Sequence, residues 1–84
     1  MTQTQGTSTK PARKLAERDM FRTGTGMLVV VICAARRSIY DAGKTTAWCG
    51  YLASPEGRIN SRNRFGFATD EQVEIVGQYT GRLS

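Results

Sequence analysis

A mainly β domain, built as a small SH3-like or related curved-sheet barrel with an N-terminal helix or flexible arm, is the fold class this sequence predicts. Three observations carry it. Apolar residues, four of them β-branched, run unbroken through 27–35. Further extended segments recur behind short turn-forming stretches, and nine glycines in 84 residues favour tight turns over long helices. A chain of this length supports a single core, and closing its sheet would remove the edges a flat sheet leaves unpaired. The expected organisation is a disordered tail over residues 1–9 and one small domain over 10–84.

Residues 10–22 have helix chemistry. Pro11 suits a first turn, and Ala12, Ala16 and Met20 recur at four-residue spacing. In such a helix Lys14, Arg18 and Arg22 would line a positive stripe on another face, while Arg13 and Glu17 could pair in solvent. Thr23-Gly24-Thr25-Gly26 then turns the chain. Val29, Val30, Val31 and Ile32 tolerate extension because branching at Cβ fits a pleated surface, and their lack of alternation predicts cover on both faces. Arg36 and Arg37 bring this strand back to solvent.

Asp41-Ala42-Gly43-Lys44 reads as an exposed loop, with Ile39-Tyr40 before it as a candidate extra strand. In the strand expected over 45–52, Thr46, Trp48, Gly50 and Leu52 share one side, and Ala47, Cys49 and Tyr51 the other. Trp48 is the natural core anchor, although a shallow binding surface would expose part of its ring. Ala53-Ser54-Pro55-Glu56-Gly57 is a turn. Residues 60–63 read as loop, leading into a strand through Phe65 and Phe67. A last strand is expected over 72–79, where Val73, Ile75 and Tyr79 share parity.

Twelve Lys and Arg against seven Asp and Glu leave a formal charge of +5 with no histidine. That balance suits nucleic acid, an anionic membrane surface or an acidic protein. The first apolar run begins only at Met27, is too short to cross a bilayer as a helix and is followed by Arg36 and Arg37, so neither a secretory leader nor membrane insertion is expected and a cytoplasmic location follows. Cys33 and Cys49 lack metal-site spacing and a histidine partner. They read as small buried hydrophobes, with a disulfide between them as the alternative. No cofactor is expected, and without a histidine base, a phosphate-binding loop or a Cys–His pair, neither is catalysis.

The most informative stretch is 58–69, which carries Arg58, Arg62 and Arg64 with no acid and adds Phe65 and Phe67. Guanidinium groups pair with phosphate oxygens, and aromatic faces stack on unpaired bases. On a regular strand Arg62 and Arg64 project to one side and Phe65 and Phe67 to the other, so the simplest arrangement buries the rings and exposes the cations. Arg36 and Arg37 extend the positive field, and Tyr51 joins Phe65 and Phe67 as a candidate aromatic contact.

The string Arg64-Phe65-Gly66-Phe67 resembles part of the aromatic-glycine-aromatic motif of cold-shock domains and RNA-recognition modules. That resemblance covers about half a dozen residues and implies that Phe65 and Phe67 stack on single-stranded nucleic acid. The usual basic-glycine opening is missing, because Arg64 directly precedes Phe65. The expected function is therefore a small basic non-enzymatic nucleic-acid-binding module that contacts RNA or single-stranded DNA through phosphate. The alternative is a protein-interaction or regulatory adaptor that binds an acidic protein surface or self-associates.

Overall fold

The computed structural model describes residues 8–41 and 43–83. Strand β1 (Ser8–Pro11) leads through a single 3-10 turn (Ala12–Lys14) to β2 (Asp19–Arg22), followed by β3 (Leu28–Arg37), β4 (Lys44–Leu52), β5 (Ile59–Ala68) and β6 (Gln72–Gln78). All pairings are antiparallel, and they form one six-stranded sheet in the order β1-β6-β2-β3-β4-β5. The polar tail expected over 1–9 lies outside the described residues, except that Ser8 and Thr9 open β1.

Two sequence expectations need correction. The sheet does not close into an SH3-like barrel: β1 and β5 stay at its edges, and no pairing joins them. Strand β1 is only four residues long and ends at Pro11, which has no N–H to give a ladder. Beyond it the chain leaves the strand direction and caps the β5–β6 turn instead, with Ala12 N donating to Glu71 O at 2.8 Å.

The N-terminal helix over 10–22 also does not form, apart from the turn at Ala12–Lys14. The second half of that segment is β2, paired with both β3 and β6. A weakly amphipathic helix has little stability of its own, and two flanking ladders outweigh it. Ala12 and Leu15 still reach the core, at 0% and 2% exposure.

Though open, the sheet curls. Phe21 on β2 and Phe65 on β5 are separated by two intervening strands, which on a flat sheet would hold them roughly 14 Å apart. Their ring centroids are 5.9 Å apart, and Phe67 lies 5.8 Å from Phe21. Irregular register in β2–β6, β3–β4 and β4–β5 supplies the bend. The inner face of the curl gathers Phe21, Val29, Val31, Ala47, Cys49, Phe67, Val73 and Ile75. A smaller cluster of Met20, Leu28, Val30, Leu52 and Tyr79 covers part of the outer face. Val30 and Val31, neighbours of opposite parity, are both fully buried, as the unalternated run of β3 requires.

Asp19 ties the N-terminal elements together. Its carboxylate accepts from Lys10 Nζ and Ala16 N at 2.8 and 2.9 Å, and from the Gln78 amide. Arg18 before it has φ +80°, an unfavourable backbone held by Arg18 N to Val31 O and Tyr79 N to Arg18 O, each 2.8 Å. Among the described residues no helix is long and apolar enough to cross a membrane.

Candidate functional site

Directly paired residues of an antiparallel ladder project to the same face, so the register maps the outer surface of β3–β5. Cys33 pairs with Trp48, which pairs with Arg64; Arg36 pairs with Thr46, which pairs with Gly66; and Gly50 pairs with Arg62. Arg36, Trp48, Arg62 and Arg64 therefore share one outward face. A shallow recess of about 260 Å3 is lined by Cys33, Arg36, Thr46, Trp48 and Arg64. At Gly66 an added Cβ would meet nothing within 4 Å, so the surface beside the recess stays open.

Trp48 is 39% exposed, which corrects its reading as the core anchor. The inner side of β4 belongs to Ala47 and Cys49, small enough to lie in a core already filled by Phe21 and Phe67. Parity then sends the indole outward. Arg36, Arg62 and Arg64 are exposed around that face. The two ion pairs found among the described residues, Lys10–Asp19 and Arg13–Asp70, use none of these three cations.

A larger cleft of about 600 Å3 opens at the end of the sheet nearest the β4–β5 turn, lined among others by Glu56, Arg58, Arg62, Tyr79 and Arg82. Its walls are tied. The Tyr79 hydroxyl donates to Gly57 O at 2.6 Å, joining the β4–β5 turn to the C-terminal segment. The Arg18 guanidinium donates to Tyr79 O at 3.0 Å and Gly81 O at 2.8 Å, holding that segment against the sheet. Arg62 lines this cleft and lies one two-residue step along β5 from Arg64, so the cleft and the recess adjoin.

The residues expected from sequence are thus divided between faces. Arg36, Arg62 and Arg64 come together on the outer face, and Arg58 joins Arg62 in the cleft. Arg37 pairs with Thr45, whose side chain is fully buried on the inner side, and so diverges from Arg36. Tyr51, Phe65 and Phe67 lie within the curl: Tyr51 and Phe65 are half-buried with centroids 5.6 Å apart, and Phe67 is buried. Ile39 and Tyr40, considered as a strand, sit in the β3–β4 connection at 86% and 91% exposure. Residues 60–63 belong to β5 rather than to a loop.

The cysteines also separate. Cys33 is exposed, correcting its reading as a buried hydrophobe, because the irregular register after Val31 places it opposite Trp48. Cys49 is buried inside the curl, and burial pushes its thiol up to about 12. Both are free. Among the described residues no group of three or more His, Cys, Asp and Glu side chains could hold a metal ion.

Sequence reasoning did not place Cys33 or Arg82 in a site, and it offered a part-exposed Trp48 on a shallow binding surface only beside the core-anchor reading. The parity of Trp48 with Thr46 and Gly50, against Ala47 and Cys49, was the signal for the indole. Arg82 carried none, since its cleft is built from segments distant in sequence. No protein-family model, no curated protein and no solved structure matches this chain.

Proposed function

We propose that this chain is a non-enzymatic module that binds single-stranded nucleic acid, RNA or DNA, on the outer face of β3–β5. The observation that carries the reading is a part-exposed Trp48 set among Arg36, Arg62 and Arg64, none of them in either of the described ion pairs. An indole accepts any unpaired base by stacking, and guanidiniums beside it take the phosphates that flank that base. Arg62 and Arg64 stand roughly 7 Å apart along β5, a step comparable to that between successive phosphates of an extended strand. Duplex DNA offers no unstacked base to Trp48 and gains only the phosphate contacts. A cytoplasmic location belongs to the same reading.

An acidic extended peptide added to the β5 edge is the second reading, favoured by the ten-residue edge strand with Arg62 and Arg64 on it. Pairing of β5 with a second copy of itself would bring like charges together and is the weaker form of that reading.

Trp48 is the sole tryptophan, so its fluorescence reports directly on the site. Titration with oligouridylate or oligothymidylate at low salt is expected to quench it saturably, with affinity falling as salt rises. Trp48→Ala, followed by anisotropy of a labelled strand, is expected to weaken binding by about 1–3 kcal/mol, and Arg64→Ala to lower the salt slope by about one. Absence of saturable binding to either strand at low salt would sink the proposal.

A further inference from the structure

The cleft beside the β4–β5 turn gathers three guanidiniums around one concavity, one more than line the open recess. We infer that it is a terminal-phosphate subsite: it holds the phosphomonoester at one end of a nucleic-acid strand whose neighbouring base stacks on Trp48. The inference rests on the single-strand reading above and names the ligand group that reading leaves open.

Three guanidiniums, Arg58, Arg62 and Arg82, face this cleft with one carboxylate, Glu56. Neither of the described ion pairs engages any of them, so two positive charges are left over for a ligand. A phosphodiester inside a strand carries one negative charge, whereas a phosphomonoester carries roughly −1.5 to −2 at neutral pH and offers three acceptor oxygens. Forked donors on a dianion make the strong class of charge-assisted hydrogen bonds.

Position supports the same ligand. A strand following β5 from Arg64 to Arg62 meets the cleft where the sheet ends, at the β4–β5 turn. The walls are preset by the Tyr79–Gly57 hydrogen bond and by the Arg18 guanidinium on the Tyr79 and Gly81 carbonyls, so ordering them on binding costs little. A phosphorylated peptide presents the same anion but has no base for Trp48, and the continuity of the two surfaces favours the nucleic-acid end.

The test compares, by anisotropy with the full chain, one short single strand carrying a 5′-phosphate, a 3′-phosphate or hydroxyls at both ends. One of the phosphorylated strands is expected to bind about tenfold tighter than the hydroxyl strand. Arg82→Ala, or Arg82→Gln should Arg82→Ala fail to give the native circular dichroism spectrum, is expected to abolish that preference while leaving hydroxyl-strand affinity within about twofold. Equal affinity for all three strands overturns the subsite and leaves the single-strand function standing. No binding of any strand overturns both. A phosphoserine peptide that displaces the phosphorylated strand at lower concentration than an unlabelled copy of that strand overturns the nucleic-acid assignment.

Discussion

Trp48 owes its exposure to its neighbours rather than to its own chemistry. Ala47 and Cys49 occupy the inner side of β4, so the indole takes the outer side whatever its preference for burial. Cys33 stands opposite it, and the two cysteines present a matched internal comparison. An exposed thiol is open to attack, whereas the Cys49 thiol is shielded and held protonated by burial. A thiol reagent in native buffer is therefore expected to modify Cys33 alone, and Cys49 only on unfolding. A bulky adduct at Cys33 should perturb Trp48 fluorescence and weaken strand binding, since both side chains line one recess. Rapid native modification of Cys49, read by peptide mass, would contradict the placement of β4.

At the scale of elements, the β4–β5 pair carries the site, and its irregular register is what shapes it. The register shifts between Gly50 and Leu52, where Ile59 folds across Gly50. A Cβ on Gly50 would collide with Ile59 Cγ2 and crowd Ile32 Cδ1 at 3.2 Å. Gly50→Ala is expected to destabilise the fold by about 1–3 kcal/mol in chemical denaturation. The penalty should shrink in an Ile59→Ala background, because the colliding methyl is gone. An unchanged penalty in that background would show that the close approach is not its cause. The edge strands are protected differently: β1 is short and ends in Pro11, while β5 carries Arg62 and Arg64, which oppose pairing with its own copies.

At the scale of the whole molecule, Asp19 joins β1, β2, β6 and the turn after Ala12–Lys14 through its carboxylate. Burial pushes its carboxyl up, but the hydrogen bonds from Lys10, Ala16 and Gln78, with the Lys10 charge, together outweigh that and hold it below the ordinary carboxylate range. A depressed folded-state value means that the unfolded chain takes up the proton first. The stabilisation is therefore complete above about pH 4 and is lost as pH falls through the folded value. Asp19→Asn is expected to lower stability at neutral pH by about 1–3 kcal/mol and to flatten the decline in acid below about pH 4. A variant that matches the parent at neutral pH and declines as steeply in acid would remove Asp19 as the fastening point.

Several features were legible in the residues themselves because they depend on local chemistry. The branched run Val29–Val30–Val31 needs no partner to favour extension, and Ser54 to Gly57 turns on its own, with Gly57 N donating to Ser54 O at 2.9 Å. Strand parity alone set Arg62 and Arg64 against Phe65 and Phe67, and that division holds. Other features required the assembled sheet. Local spacing over 10–22 favours a helix, and only the ladders from β3 and β6 make Asp19–Arg22 a strand. Whether the sheet closes, which face of β4 meets the core and how Arg82 comes to stand beside Arg58 are settled by register and curl. Those arise from pairings between residues far apart in the chain, whose energies no single segment carries.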